Sequence, residues 1–250
     1  MDLQLTGKRA LIAGGSKGIG LAIARGLAAE GAVVAIAARG AEVEQVAADL
    51  ESEFATRAIG VRADTTDDAS VRAAVERVVA VLGGVDILVN TAAVPWTPDK
   101  NVPASQTSDE LMREQFEGKP LGYLRTARAV VPHMVAAGWG RIINVSGLGA
   151  RSAGSAAQTV RNVAVAAITK NLADELGPKG INVTVVHPAI TRTEAMVARG
   201  DEPAPTNSIH RMIDATEVAD VVVFLASPRS IAITGDAIAV GGGVPGPIYY

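Results

Sequence analysis

The residues whose types and spacing best suit chemistry form the run Ala13-Gly14-Gly15-Ser16-Lys17-Gly18-Ile19-Gly20. It follows a short apolar stretch over residues 9–13 and opens a helical pattern at Leu21. A strand-to-helix turn of this kind offers an anion free backbone N–H groups and the positive end of a helix dipole. Gly14 turns the chain sharply off the strand, Gly18 lets the backbone approach a phosphate, and Gly20 lets helix and strand pack closely. The loop predicts a cradle for a dinucleotide pyrophosphate. Its spacing is G-x-x-x-G-x-G, not the commoner G-x-G-x-x-G.

Charged and polar residues at later strand ends extend this reading. The second apolar strand ends Ile36-Ala37-Ala38-Arg39, with no carboxylate placed to take a ribose 2′-hydroxyl. Arg39, with Lys17 as a second cation, points to the 2′-phosphate of NADP in preference to NAD; the other reading makes Arg39 a solvated strand-end cation. Asp64-Thr65 closes the third strand, where Asp64 bonds an adenine amine, caps the next helix, or does both. Asn90 ends the fourth strand and is read as satisfying neighbouring strand-end backbone groups. The proline-rich segment 94–103 carries Trp96, either a wall of a substrate pocket or a packed loop aromatic. His187, at the end of a strand, is read as a structural histidine or as an acid.

The elements that must position these groups alternate along the chain. Strands are predicted over 9–13, 33–38, 58–63, 86–90, 141–146 and 181–187, with a last short one over 236–240. Helices lie between them, including 42–51, 67–82, 121–137, 156–176 and 217–226. The alternation predicts an α/β fold: one domain over 1–250, a doubly wound Rossmann-type parallel sheet of about seven strands with helices on both faces. Residues 191–213, with Asp201-Glu202-Pro203-Ala204-Pro205, read as a substrate lid. Val163 to Ile168 is apolar all round, which predicts burial on both sides of its helix: the sheet on one, a second subunit on the other.

Composition excludes several classes of function. A net charge of −3 and no basic cluster interleaved with aromatics argue against nucleic acid. No apolar run reaches membrane-spanning length and the first residues lack signal-peptide character, so a soluble cytoplasmic protein with no membrane partner is expected. With no cysteine and only His133, His187 and His210 to supply imidazole, no metal site is predicted.

With these elements in place, the sequence resembles the short-chain dehydrogenase/reductase family over nearly its full length. The glycine loop looks like the family's T-G-x-x-x-G-x-G with Ala13 for Thr, and Asn90-Thr91-Ala92-Ala93 looks like its N-N-A-G. His187-Pro188-Ala189-Ile190-Thr191-Arg192-Thr193 looks like its P-G stretch with Ala189 for Gly, and Ile233-Thr234-Gly235 with Val240-Gly241-Gly242 like its last strand. The resemblance implies that Asp64 meets adenine, that Asn90 and Ala92 border the ribose, and that Pro188, Ile190 and Thr193 hold the carboxamide. It also implies a small-molecule substrate and a homodimer or homotetramer.

The same resemblance locates a divergent catalytic half. Aligning 171–178 with the family's helix end puts Gln158 and Asn162 at its Tyr-x-x-x-Lys pair. Aligning 141–145 puts Gly147 at its serine, with Ser146 one residue early, and Lys119 replaces an asparagine on the preceding helix. An alkoxide formed by hydride delivery wants a proton donor, which glutamine cannot be by ionising, although its N–H groups can polarise a carbonyl. Either the ammonium has moved to Lys119, aimed inward by a kink at Pro120, or Lys119 extends to solvent. Tyr123, Tyr249 and Tyr250 are read as packing or interface residues. Three functions follow: an NADP-dependent oxidoreductase with an altered site, acting on a small carbonyl, alcohol or imine; a non-redox enzyme reusing the crevice; and a catalytically silent cofactor-binding or assembly protein.

Overall fold

The computed structural model describes residues 1–201, 203–204 and 206–245, with Pro98 described for its backbone only. Seven parallel strands form one sheet in the order β3-β2-β1-β4-β5-β6-β9. They are β1 (Arg9–Ala13), β2 (Val33–Ala38), β3 (Ala58–Arg62), β4 (Ile87–Asn90), β5 (Gly140–Val145), β6 (Ile181–Pro188) and β9 (Ala237–Val240). A separate two-residue pair joins β7 (Thr191–Arg192) to β8 (Ile213–Asp214). The main sheet is the doubly wound sheet that the alternation predicts, with strand ends within about two residues of expectation.

Side chains of alternating residues enter two cores, one on each face. Ala10 and Ile12 of β1, Val34 and Ile36 of β2, and Ile87 and Val89 of β4 pack in the first core. Leu11, Ala35 and Leu88, one residue out of phase, pack in the second. The first is covered by α1 (Gly18–Ala29), α2 (Val43–Phe54) and α8 (Ala215–Ala226), and the second by α3 (Asp68–Leu82), α5 (Gly122–Ala137) and α6 (Ala156–Leu176). A strand apolar on both faces has nowhere stable except between two helical layers.

Strand order reverses between β1 and β4, which opens a crevice at their carboxyl ends. The register sets Ala13 beside Asn90, and Asn90 beside Asn144, so three strand ends meet at that crevice.

Two helices depart from the predicted pattern. Segment 104–120, given no element from sequence, contains α4 (Asp109–Phe116), whose N-cap Ser108 accepts the Leu111 N–H at 3.2 Å. The segment read as a lid contains α7 (Glu194–Arg199) as well as β7 and β8. Pro120 sits in a π-helical turn, Glu117–Leu121, that links α4 to α5. Helix α6 is buried on the sheet side through Val165, but Val160 is 41% and Val163 46% exposed on the other side of this chain. Tyr249, Tyr250, Glu202 and Pro205 lie outside the described residues. No helix among the described residues is long and apolar enough to cross a membrane.

Candidate active site

Gly14 and Gly20 are held against groups that leave no room for a side chain at either position. Gly14 has φ +89°, and a Cβ there would lie 2.6 Å from the Ala92 nitrogen. A Cβ on Gly20 would enter the Gly14 carbonyl oxygen, so α1 and β1 approach closely only with glycine at this position. Thr91 Oγ1 donates to the Ala13 carbonyl at 2.8 Å and the Ala92 N–H to the same oxygen at 2.9 Å, locking the end of β4 to the turn. The Gly18 N–H donates at 3.1 Å to the Glu194 carboxylate of α7. An acid thus already sits on a donor of the anion cradle.

From this turn a cleft of about 510 Å³ runs along the strand ends. Ser16, Lys17, Ile19, Arg39, Asp64 and Thr65 line one end. Lys17 and Arg39 are exposed there, and Glu42 accepts from Ser16 Oγ at 3.4 Å at the same end. Asp64 Oδ1 accepts from the Thr66 N–H at 2.9 Å and from Thr66 Oγ1 at 2.8 Å, which lowers its pKa. The expectation that Asp64 caps the next helix is corrected: Asp67 is the N-cap of α3, accepting the Ala69 N–H at 2.9 Å. An aspartate already turned onto Thr66 is too early in the chain to reach the first turn of α3.

Thr91 and Ala92 line the middle of the cleft, and Asn90 lies fully buried behind them at the end of β4. Its amide donates to Asn144 Oδ1 at 2.9 Å and its carbonyl accepts from Thr126 Oγ1 at 2.7 Å, while Asn144 donates to Thr169 Oγ1 at 2.9 Å. Asn90 is thus structural, but through side chains and not the backbone groups expected. Leaving any one member of this buried chain unpaired costs about 1–3 kcal/mol.

Lys119, Ser146, Val145, Pro188 and Thr193 line the far end. Lys119 does not extend to solvent: it is 5% exposed. The π turn aims its ammonium inward, where Nζ donates to the Ser146 carbonyl at 2.9 Å and to Asn162 Oδ1 at 3.0 Å. Ser146 Oγ donates to the Asn162 carbonyl at 3.1 Å and to Asn162 Oδ1 at 3.2 Å. With its oxygen receiving two donors, the Asn162 amide nitrogen faces the bare backbone of Gly147 and Gly149; a Cβ at Gly149 would meet it at 3.2 Å and Gln158 Oε1 at 3.5 Å. Lys119, Ser146 and Asn162 are therefore one bonded cluster, with Gln158 one helical turn before Asn162. Burial, and then the charge of Arg161, hold the Lys119 ammonium well below the usual lysine range.

Other candidates fall to structural places. Tyr123 is buried and donates to the Val145 carbonyl at 2.8 Å, its pKa pushed up by burial. His187 Nδ1 accepts the Gly147 N–H at 3.4 Å, and burial with the nearby Arg151 and Lys119 charges pushes its pKa down to about 4. Ile190 is 58% exposed and stands outside the lining of this cleft. Trp96 carries the Arg161 guanidinium 5.4 Å from its ring centroid. No group of three His, Cys, Asp or Glu among the described residues could hold a metal ion.

Arg161 escaped sequence reading although it follows Gln158 by three residues, on the same helical face. A lone charge on an otherwise apolar stretch was the available signal. Glu194 gave no signal, because its partner lies 176 residues away.

A parallel sheet of this order, a glycine-rich turn leading into a helix, and a cleft at the switch point define a doubly wound, Rossmann-type domain. Comparisons with known proteins resolve the family. Residues 13–245 match the family described as enoyl-(acyl carrier protein) reductase. The chain is 34% identical to the 3-alpha-(or 20-beta)-hydroxysteroid dehydrogenase of Mycobacterium bovis, over 97% of this chain and 91% of that protein. It is 30% identical to the 3-oxoacyl-(acyl-carrier-protein) reductase FabG of Aquifex aeolicus, over 98% of this chain and all of that protein. The structure of L-sorbose reductase from Gluconobacter frateurii, complexed with NADPH and L-sorbose, superposes with a TM-score of 0.91 at 31% identity, covering 99% and 100% of the two chains. The protein belongs to the short-chain dehydrogenase/reductase family, a family of oxidoreductases that use NAD(P).

Proposed function

We propose that this protein is an NADP(H)-dependent oxidoreductase with an atypical active site, acting on a small carbonyl, alcohol or imine substrate. The observation that carries the reading is the Lys119 ammonium, held by Ser146 and Asn162 at the far end of the cleft that begins at the glycine turn. The cradle fits a dinucleotide: the turn opens α1, whose first turn carries donors and the positive helix end, and at Gly18 only Thr193, 3.5 Å away, approaches the position of a Cβ. Arg39 and Lys17 serve the 2′-phosphate, Asp64 the adenine, Asn90 and Ala92 the ribose, and Pro188, Ile190 and Thr193 the carboxamide. A bound nicotinamide supplies or accepts the hydride.

The chain's own residues then divide the remaining work. Gln158, one helical turn before Asn162, supplies amide N–H groups that polarise the substrate oxygen or nitrogen, while Asn162 holds Lys119 in place. Lys119 is the proton donor, because burial makes its ammonium more acidic than a lysine in water and so a better acid near neutral pH. Ser146 fixes the Asn162 amide, which in turn orients Lys119. Segment 191–213 acts as a lid over the nicotinamide end, and the exposed valines of α6 make a subunit interface in a homodimer or homotetramer.

The test is NADPH titration followed by a carbonyl and imine panel. It is run on the native protein and on a triple variant, Gln158→Tyr/Asn162→Lys/Lys119→Asn. Lys119 must change with Asn162, because their atoms are 3.0 Å apart and two ammonium groups there would repel. Ketone reduction gained by the variant, with a different substrate range in the native protein, supports the reading. Product formed without NADPH oxidation points to a non-redox enzyme, and tight binding without turnover to a silent one.

A further inference from the structure

Arg161 and Lys119 are two cations buried side by side, at 7% and 5% exposure. Neither forms an ion pair among the described residues. Glu114, whose charge acts on Arg161, is held by Lys100 at 2.9 and 3.0 Å. Burying an uncompensated charge costs several kcal/mol. That cost is incurred here twice in one place, beside a cleft.

The guanidinium of Arg161 is pinned along one side only. Nη1 donates to the Val94 carbonyl at 3.1 Å and to Gln115 Oε1. The Trp96 ring covers a face of the guanidinium, which restrains its plane without taking any N–H. Its other side is left over: Nε is buried with no partner, and no described residue accepts from Nη2. Nε and Nη2 form the edge whose two parallel N–H groups match the two oxygens of a carboxylate. Val94 joins this arginine to the cleft, since it lines the wall beside Gly118 and Lys119.

Resting on the oxidoreductase reading above, we propose that the substrate carries a carboxylate, which the free Nε/Nη2 edge of Arg161 receives as a bidentate pair while Lys119 faces the reacting carbonyl or imine. The carboxylate enters as the irregular segment around Trp96 shifts off Arg161. It supplies the missing counter-charge, so acid substrates are selected over their neutral esters. The natural class is a small oxo acid, or the imine of one. The lowered pKa of Arg161, caused first by burial, agrees with a guanidinium that lacks its anion.

Trp96 makes this testable apart from turnover. The chain has two tryptophans, and Trp139 lies far off between Lys8 and Arg141, so Trp139→Phe leaves Trp96 as the reporter. In that background, with and without NADP⁺, fluorescence is titrated with pyruvate, 2-oxoglutarate, methyl pyruvate and methyl phosphate. At least one oxo acid should shift the emission and bind about tenfold or more tighter than the ester, and Arg161→Met should abolish the difference. Arg161→Lys, which keeps the charge without the fork, should recover only part of it. Equal binding of acid and ester, no response to either oxo acid, or a response to methyl phosphate alone overturns the carboxylate assignment. The acid–ester comparison needs no Arg161 variant, so it stands if Arg161→Met does not fold. NADPH oxidation read in parallel separates the two readings. Carboxylate binding without oxidation by any compound refutes the redox reading alone; oxidation with acid and ester at equal KM refutes the carboxylate site alone.

Discussion

Lys119 is chemically useful because of what surrounds it, not because it is a lysine. Burial strips its ammonium of water, its two hydrogen bonds go to a carbonyl and an amide oxygen that carry no full negative charge, and a second cation, Arg161, lies near it. Deprotonation is therefore favoured relative to water. The rate of reduction should fall on the alkaline side at a pH well below lysine's ordinary 10.5, where the proton donor is lost. A pH–rate profile of NADPH oxidation checks this. In Lys119→Arg that limb should disappear, since a guanidinium does not titrate, and in Lys119→Met the rate should drop roughly 10² or more at every pH. At the other end of the cleft, Arg39→Asp should weaken NADP⁺ binding about 10- to 100-fold and leave NAD⁺ binding nearly unchanged, read by calorimetry. Equal loss for both cofactors would mean that Arg39 is only a strand-end cation.

Among the elements, α1 and α7 meet at the turn proposed to hold the cofactor pyrophosphate. The Glu194 carboxylate on the Gly18 N–H occupies one donor and opposes a second negative charge at the same helix end. Glu194→Gln should therefore tighten NADP(H) binding severalfold in titration; weaker binding would show that Glu194 assists the cofactor. Gly20→Ala belongs to the same junction. Its methyl group would drive α1 off the Gly14 carbonyl, so both cofactor binding and Tm should fall together.

For the whole molecule, His187 ties stability to pH. Its folded pKa, about 4, lies below the ordinary 6.5, so between these values the unfolded chain binds more protons than the folded one. Stability is unaffected above about pH 6.5 and is lost as pH falls toward 4, by about 3 kcal/mol. Thermal melts at stepped pH should show this slope, and His187→Gln should flatten it. On the outside of the molecule, α6 leaves Val160 and Val163 exposed, with Val135 of α5 39% exposed. On the proposed subunit interface, Val163→Glu places an unpaired charge and should favour the monomer in sedimentation, where the native protein is expected to run as a dimer or tetramer.

What the sequence determined by itself was the part written in periodicity and in residue size. Strands such as 33–38 and helix Ala156–Leu176 were legible because a sheet buried on both faces demands unbroken runs of Val, Ile and Ala. The glycine turn was legible because only glycine fits there. Short polar α4 and α7 were not, since helices of 8 and 6 residues take their stability from packing and carry little pattern of their own. Only the tertiary structure decided where charges ended up. That Lys119 turns inward to Asn162, 43 residues on, depends on a π turn. That Arg161 keeps one edge free depends on Val94, Gln115 and Trp96, brought to it from two other segments. Burial and long-range partners set what a charged side chain can do, and neither is recorded in its neighbours along the chain.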